Sequence, residues 1–440
     1  MAKKNKKKIL YIVLDGLPDG RYALRELGGK TPLEAADTPN LDLLAERGKT
    51  GLMHTVRKGI APESDVAVIS ILGYNPVLYY TGRGPLESFA AGLDIKPGQL
   101  ALRANFATKG TGREILDRRV GRNLSTEEAS ALCKEINSRL KLDSVPATFR
   151  FKNTIGHRAV LVIRSTPHKL SGEITNTDPA YGREGILGVA LEEGSYPNQV
   201  QLARPLNNCK DMKAAPLAAL LVNEFTVKSS EILKDSPVNK ARRSRRCKPA
   251  NLILLRDAGD RLPRFPNIER KFGKKFACLA DMPVESGIAL LTGMDVVKIP
   301  PPTTDPKKDY ALRVKKSLEA LRKYDAIYVH IKGPDIYGHD GDGIGKKKSI
   351  EAIDRFYLGP VLNGIDLQDT VVAVTSDHST PCQLRSHSDD PVPLVICGGP
   401  VKPDRIMSFS ERACGKGALG EINGPQLMPA IVRYSLSPAG

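Results

Sequence analysis

The strongest constraint on the fold is an alternation of continuous apolar runs with helical segments at both ends of the chain. The run at residues 8–14 (KILYIVL) and the run within 325–332 (DAIYVHIK) lack the polar alternation of half-exposed strands, so both are predicted to be buried strands. Helices are predicted over 39–47, with Thr38 as the N-cap, and from Ser64 to a stop at Gly73. This alternation predicts an α/β fold with a doubly wound, mostly parallel sheet.

The middle of the chain follows a different pattern. Residues 100–248 hold short apolar runs, such as HRAVLVIRS, separated by polar loops. We predict that this segment is an α+β domain inserted into an α/β domain that is formed by residues 1–95 and 250–440.

The charge balance allows two classes of partner. The 440 residues include 66 Lys and Arg against 49 Asp and Glu, a net charge of +17. This excess suits an enzyme that attracts small anionic substrates, or a nucleic-acid binder. The basic run KARRSRRCK (240–248) has no aromatic-rich motif beside it and is expected to be a solvated surface loop. We therefore favour a small anionic substrate and rank a nucleic-acid partner last.

The apolar runs and the cysteines indicate the compartment. No apolar run reaches the ~18 residues that a membrane helix needs. The seven cysteines are scattered and form no CxxC pair, which indicates reduced thiols. We expect a cytoplasmic protein without membrane contact, and the sequence leaves its oligomeric state open.

Three of the predicted strands are followed by an acidic residue. These are Asp15 in YIVLDG, Asp335 in VHIKGPD and Asp377 in VAVTSDH. In a parallel sheet, ligands bind just beyond the carboxyl ends of the strands. The three carboxylates are therefore expected to converge at one edge.

Histidines accompany these acids. His339 follows Asp335 by four residues in a segment that is predicted to be a loop because it is rich in glycine. His378 is adjacent to Asp377, and His387 follows. Mixed Asp and His ligands suit Zn²⁺ or Mn²⁺, and enough ligands exist for two ions that would clamp a transferring phosphoryl group. His330 is expected to be a packing residue.

Ser64 is a candidate nucleophile because it stands at the predicted start of a helix. Free backbone N–H groups and the helix dipole favour a phosphate there. A bound metal would lower the pKa of the hydroxyl. The alternative is that Ser64 only caps the helix.

At this point the motifs resemble those of a known family. VLDG, PESD, GYNP, YYTGRGPLESFAAG, RANFAT, HIKGPD with GHDGD, and TSDHSTPC with HSDDPVP occur in one order along nearly the whole chain. Together they are similar to the cofactor-independent phosphoglycerate mutases of archaeal type, in the alkaline phosphatase superfamily. The resemblance implies an alkaline-phosphatase-like fold and no 2,3-bisphosphoglycerate cofactor. It also implies that residues 1–95 and 250–440 form the metal-binding, phosphatase-like catalytic domain, and that the inserted domain at 100–248 binds substrate and supports phosphoryl transfer.

The resemblance also implies the metal ligands. Asp335, His339 and His387 would hold one divalent ion. Asp15, Asp377 and His378 would hold the other, with Ser64 reaching toward it. Manganese is the first expectation for both ions, with magnesium, cobalt or zinc as alternatives.

The implied reaction interconverts 3-phosphoglycerate and 2-phosphoglycerate through phosphorylated Ser64, a step of glycolysis and gluconeogenesis. Glycerate must be retained between the two transfers, which calls for cations and a proton acceptor. The candidates are His157, Arg158, Asp178, Arg83, Arg103 and Lys271. The loop after Asp15 departs from the family pattern, since Asp19 and Arg21 are displaced by about a residue.

Two other functions compete with this one. The same metal motifs serve a metal-dependent phosphatase, or a phosphomutase for another small phosphorylated metabolite. The GHR and TDP motifs of the middle segment favour the mutase. An RNA-associated protein rests on net charge alone and leaves the Asp and His residues without a purpose.

Overall fold

The architecture was analysed in a computed structural model, which describes residues 7–191, 194–300, 303 and 305–436. The strands of the described chain are β1 (Lys8–Leu14), β2 (Gly48–His54), β3 (Leu100–Lys109), β4 (Ile115–Asp117), β5 (Ala147–Asn153), β6 (Arg158–Ser165), β7 (Tyr181–Glu184), β8 (Leu187–Ala190), β9 (Leu252–Gly259), β10 (Phe276–Ala280), β11 (Asp295–Val296), β12 (Ala326–Ile331), β13 (Thr370–Thr375), β14 (Val392–Cys397) and β15 (Glu421–Asn423).

The helices of the described chain are α1 (Pro32–Ala35), α2 (Pro39–Arg47), α3 (Ser64–Ile71), α4 (Pro76–Tyr79), α5 (Arg83–Ala90), α6 (Thr126–Arg139), α7 (Ala214–Lys234), α8 (Pro237–Ser244), α9 (Ile268–Phe272), α10 (Pro283–Thr292), α11 (Pro306–Lys323), α12 (Pro334–Asp340), α13 (Gly343–Ile353), α14 (Gly359–Asn363), α15 (Glu411–Cys414) and α16 (Gly424–Leu436). A π-helical turn joins α13 to α14. Within the described residues no helix is both long and apolar enough to span a membrane.

The chain forms two compact units. One runs to Tyr79 and resumes at Arg264, and the other spans Tyr80–Pro263. The second unit is longer than the insertion of 100–248 that we predicted. Its sheet includes β9, which pairs with β3, and α5 packs on both strands, so the segments flanking the predicted insertion belong to this unit.

The first unit is built on an eight-stranded sheet in the order β11-β10-β12-β1-β13-β14-β2-β15. The strands from β11 to β13 are parallel, whereas β14 runs antiparallel to both β13 and β2. The central strands are buried along their whole length, as their continuous apolar runs predicted. The predicted α/β fold with a mostly parallel sheet is confirmed.

The register of the central strands aligns their carboxyl ends. Leu14 pairs with Ile331, and Val13 pairs with Thr375. The residues that follow, including Asp15 and Asp377, therefore emerge side by side at one edge of the sheet.

The second unit has a five-stranded sheet, in which β4, β3, β6 and β5 are neighbours and β9 pairs with β3. Its core joins this sheet to α6 and α7, with Phe106, Phe151 and Phe225 in edge or tilted ring contacts. The basic run at 240–248 is mostly solvated, as expected, but it is not a loop throughout. It lies largely in α8, and Arg242 is buried, where it donates to the side chains of Asn123 and Glu128.

Candidate active site

Two groups of acidic and histidine side chains meet at the carboxyl edge of the first unit's sheet. In each group, one potential ligand atom per residue lies within 4.8 Å of the others. The members of the first group are Asp335, His339 and His387, and those of the second are Asp15, Asp377 and His378. These are the six residues that the sequence predicted to converge.

The helix α12 explains how Asp335 and His339 face the same way. We predicted a glycine-rich loop here, but residues 334–340 form a short helix that begins with Pro334. Residues four apart lie on one helical face. A glycine is needed at position 338 because α12 packs closely on the loop at Thr380. A Cβ atom at position 338 would lie 2.3 Å from the carbonyl oxygen of Thr380 and collide with it.

The two groups adjoin each other. The rings of His378 and His387 are stacked with their centroids 3.7 Å apart. Thr380 connects the groups, since its Oγ1 donates to Oδ1 of Asp335 at 2.8 Å and lies 3.0 Å from Nδ1 of His378. The arrangement can hold two cations close together.

Hydrogen bonds at Nδ1 orient His339 and His387 so that Nε2 of each ring points toward the first group of potential metal ligands. Nδ1 of His339 lies 3.0 Å from the carbonyl oxygen of Arg385, and Nδ1 of His387 lies 2.8 Å from that of Pro62. A carbonyl only accepts, so each Nδ1 carries the proton and each Nε2 is directed to the site. Metal-binding histidines are commonly oriented by such an acceptor on the other ring nitrogen.

The carboxylates carry negative charge that a cation would neutralise. Asp15 and Asp377 are fully buried, and Oδ1 of Asp15 has no hydrogen-bond partner among the described residues. Burial would raise the pKa of Asp335, but a hydrogen bond from His387 and neighbouring histidine charges hold it well below its ordinary value. The donor set therefore fits divalent metal ions.

Ser64 stands beside the second group. It is the first residue of α3, and the capping position is held by Glu63, which makes no side-chain cap. The Ser64 hydroxyl is buried and lies 3.1 Å from Nε2 of His378. Ser64 therefore contacts a residue of the second group and does not serve as the helix cap, which was the alternative role considered for it.

Sequence analysis missed three charged residues beside the second group. Nζ of Lys332 contacts Oδ2 of Asp15 and lies 3.6 Å from Oε1 of Glu285. His330, which we expected to be a packing residue, lies 3.5 Å from Oδ2 of Asp377. The sequence could have indicated Lys332, because it directly follows the apolar run of a predicted buried strand, as Asp15 does.

Three of the predicted substrate residues, all arginines, form a charged cluster in the second unit. Arg83 and Arg103 contact Oε1 of Glu87 at 2.8 and 3.0 Å, and Arg103 also contacts Asp257 at 3.1 Å. Burial, together with the positive charge of Arg103, lowers the pKa of Arg158 to about 10. Two arginines therefore contact Glu87, Arg158 is near enough to influence its charge, and the cluster retains positive charge for an anion.

His157 adjoins this cluster and is neutral at physiological pH. Burial, followed by the charges of Arg158 and Arg119, lowers the pKa of His157 to about 4. Sequence analysis missed Glu87 and Asp257, whose carboxylates align the arginines.

Asp178 has a partner that the sequence did not indicate. Its buried carboxylate accepts hydrogen bonds from Nε and Nη2 of Arg118 at 2.9 and 2.7 Å. The Arg256 guanidinium lies 3.9 Å from Asp178 and stacks on the ring of Tyr181. The predicted role of Asp178 as a proton acceptor stays a prediction.

Lys271 lies in the first unit, whereas the other substrate candidates belong to the second unit. Its ammonium donates to the carbonyl oxygen of Gly73 at 2.5 Å and sits 4.3 Å from the centre of the Tyr74 ring. Gly73 follows α3, so Lys271 is near the end of the helix opposite to Ser64.

The loop that departs from the family pattern also has a structural role. Asp19 is buried, contacts Nζ of Lys346 at 2.5 Å and accepts from the backbone N–H of Cys382 at 2.8 Å. Arg21 is exposed and lies 3.7 Å from Asp390. Asp19 therefore ties the loop after β1 to the loop that carries His378.

Known proteins are similar to this chain over nearly its whole length. Residues 45–239 match the family model of 2,3-bisphosphoglycerate-independent phosphoglycerate mutase. The protein of that name from Aeropyrum pernix is 44% identical, covering 95% of this chain and 96% of its own. The one from Methanopyrus kandleri is 39% identical, covering 97% and 96%.

Two solved structures resemble the chain. A protein from Pyrococcus horikoshii superposes with a TM-score of 0.77 at 32% identity, covering 98% of each chain. The cofactor-independent phosphoglycerate mutase from Thermoplasma acidophilum has a TM-score of 0.60 at 32% identity, covering 99% of this chain and 100% of its own.

Fold and relatives together define an isomerase with a mostly parallel α/β sheet. More specifically, the chain belongs to the family of 2,3-bisphosphoglycerate-independent phosphoglycerate mutases. The predictions of family, fold and enzyme class are thereby confirmed.

Proposed function

We propose that this protein interconverts 3-phosphoglycerate and 2-phosphoglycerate in the cytoplasm, without 2,3-bisphosphoglycerate, through a phosphoryl group carried by Ser64. The names of relatives that are 38% to 44% identical support the substrate. The observation that carries the mechanism is the buried Ser64 hydroxyl, 3.1 Å from His378 and beside the two groups of acidic and histidine residues.

The two groups are proposed to hold two divalent cations. Asp335, His339 and His387 would hold one, and Asp15, Asp377 and His378 the other, together with Ser64. Manganese is the first candidate, with magnesium, cobalt or zinc as alternatives. When bound, such ions stabilise charge on phosphoryl oxygens and lower the pKa of a nearby hydroxyl.

The chain's own residues would carry the transfer in two steps. Oγ of Ser64 loses its proton and attacks the phosphorus of 3-phosphoglycerate, the bond from phosphorus to the 3-oxygen breaks, and that oxygen takes up a proton. The 2-hydroxyl then loses its proton and attacks the same phosphorus, the bond from phosphorus to Oγ breaks, and Oγ takes up a proton to restore the serine hydroxyl. N–H groups in the first turn of α3 are suited to bind the phosphoryl oxygens.

Glycerate retention is proposed for the charged cluster of the second unit. The Arg83, Arg103 and Arg158 guanidiniums would bind the carboxylate of the intermediate, because a fork of N–H donors matches a carboxylate. Neutral His157 is suited to exchange protons with the hydroxyls. Asp178 is proposed to assist this proton exchange, and Lys271 to add positive charge in the first unit.

Phosphorus NMR of the full chain with Mn²⁺ and 3-phosphoglycerate, free of 2,3-bisphosphoglycerate, tests this function. We expect 2-phosphoglycerate to appear until the two isomers reach equilibrium. Release of inorganic phosphate without 2-phosphoglycerate would identify a phosphatase instead. No change in either signal, with other phosphorylated metabolites converted, would identify a different phosphomutase.

A further inference from the structure

The ammonium of Lys332 lies between two buried carboxylates. It contacts Oδ2 of Asp15 and lies 3.6 Å from Oε1 of Glu285, and both acids are at most 1% exposed. The position follows from the sheet register, since Leu14 pairs with Ile331 and the next residues on the two strands are Asp15 and Lys332. Lys332 is therefore fixed beside one of the proposed metal ligands.

Glu285 lacks the interactions that usually accompany a buried carboxylate. It lies in α10, and among the described residues neither of its oxygens has a hydrogen-bond partner. The cationic groups near it are Lys332 at 3.6 Å and Nδ1 of His330 at 3.7 Å. A buried carboxylate without hydrogen bonds destabilises the fold unless another charge compensates it.

We propose that Lys332 and Glu285 form a charge-compensating pair that sets the affinity of the Asp15, Asp377 and His378 group for its divalent cation. This inference rests on the proposed function, which assigns a cation to that group. Neither residue is proposed to bind the metal or substrate. Both are positioning residues that act through Asp15.

The two members have opposite electrostatic effects. The positive charge of Lys332 repels a dication and competes with it for Oδ2 of Asp15. The negative charge of Glu285 offsets this repulsion and attracts the ammonium away from Asp15. Because Glu285 and Asp15 are buried and Lys332 is only partly exposed, their interactions with the site are screened by solvent less than those of surface charges.

A purely structural ion pair would behave differently. Loss of either member would leave the other without a partner, so both single variants would unfold more easily and bind metal less well or equally well. Charge compensation predicts instead that the two single substitutions change metal affinity in opposite directions. Their signs therefore separate the two roles.

The experiment is a titration of the full chain with Mn²⁺, in which free Mn²⁺ is measured by electron paramagnetic resonance. We expect Glu285→Gln to weaken one of the two binding equivalents by about tenfold or more and Lys332→Met to strengthen the same equivalent. The double variant, which has lost both charges, should return to within about threefold of wild type. Lys332→Arg keeps the positive charge, so its Mn²⁺ affinity should stay close to that of wild type.

The exposed pair Lys316 and Glu319 on α11 offers a matched control. Lys316→Met and Glu319→Gln change the charge equally, and each should leave the Mn²⁺ affinity within about twofold of wild type. If Lys332→Met does not fold, Glu285→Gln and the double variant still test the pair, since neither leaves two uncompensated carboxylates.

The outcomes distinguish this inference from the function on which it rests. Two Mn²⁺ equivalents in wild type, with Glu285→Gln unchanged or tighter, would overturn the pair and leave the proposed function intact. A double variant that binds Mn²⁺ as weakly as Glu285→Gln would likewise overturn the pair and leave the proposed function intact. A wild-type protein that catalyses the mutase reaction without binding Mn²⁺ or another divalent ion would overturn the metal assignment and the pair together.

Discussion

Oγ of Ser64 lies 3.1 Å from Nε2 of His378, and both side chains are buried at the carboxyl edge of the first unit's sheet. The serine is at the start of α3 but is not its cap, because Glu63 occupies that position. Its hydroxyl is thus directed to the site by the helix start and held there by a histidine from another strand end.

Replacing Ser64 by alanine should abolish turnover while the protein still folds and binds metal. The hydroxyl is one group among several at the site, whereas no other side chain is proposed to carry the phosphoryl group, so several orders of magnitude in rate should be lost. Intact mass after acid quenching should reveal an adduct of about 80 Da in wild type only. Ser70→Ala, in the same helix, is the control. A tenth of the mutase rate remaining in Ser64→Ala would exclude the serine as nucleophile.

Removal of metal should abolish activity, and Mn²⁺ should restore it. Without a cation, the buried carboxylates of Asp15 and Asp377 repel each other, so we also expect the thermal midpoint to rise when Mn²⁺ is added. The measurement is the mutase rate and thermal unfolding after dialysis against a chelator. Full activity in excess chelator would contradict the two-metal assignment.

Asp335→Asn should lose both metal and activity. The amide preserves the shape of the side chain. It removes the negative charge that offsets the charge of the dication, and its oxygen is a weaker base and so a weaker metal ligand. Mn²⁺ stoichiometry by equilibrium dialysis should fall by one equivalent. Asp340→Asn changes an exposed acid of the same helix and should keep both equivalents. Equal stoichiometry in the two variants would remove Asp335 from the ligand set.

Arg158→Met should impair substrate use without affecting metal binding. The guanidinium is proposed to hold the carboxylate of the substrate, and its loss should lower kcat/KM by at least about tenfold. Steady-state kinetics would measure this, with Arg150→Met on the neighbouring strand β5 as an exposed control. If both variants keep wild-type kcat/KM, the cluster around Glu87 does not bind the substrate.

Glu411 should make the stability of the first unit depend on pH. Burial raises its pKa to about 7 from the model-compound value of 4.5, although it accepts hydrogen bonds from the Asp19 N–H and the Thr31 hydroxyl. Because the folded state binds this proton more tightly, the stabilisation is complete below pH 4.5 and disappears as pH rises through 7.

Glu411→Gln should therefore lose this pH dependence. Between pH 5 and pH 8, the free energy of unfolding should decline more in wild type than in Glu411→Gln, by up to about 3 kcal/mol. Urea unfolding in chelator would measure the difference, with the exposed Glu46→Gln as control. Parallel pH profiles for wild type and Glu411→Gln would contradict the burial argument.

Local sequence signals predicted the parts of the site that follow directly from strands. Asp15 and Asp377 come at the ends of continuous apolar runs, and such strands are buried and parallel in an α/β sheet. The direction of β14 was not predictable in this way, because an apolar run indicates burial but not the orientation of the strand. The helix α12 was also missed, since its glycine is required by a tertiary contact with Thr380.

The sequence by itself determined the alternation of strands and helices, the acidic ends of the strands, and the identity of six residues that meet at one edge. These features depend on periodicity and chain order, which are local. Only the tertiary structure decided that Lys332 lies between Asp15 and Glu285, and that Glu87 contacts both Arg83 and Arg103. Such contacts join residues far apart in the chain, and they depend on register and side-chain packing, which no local pattern records.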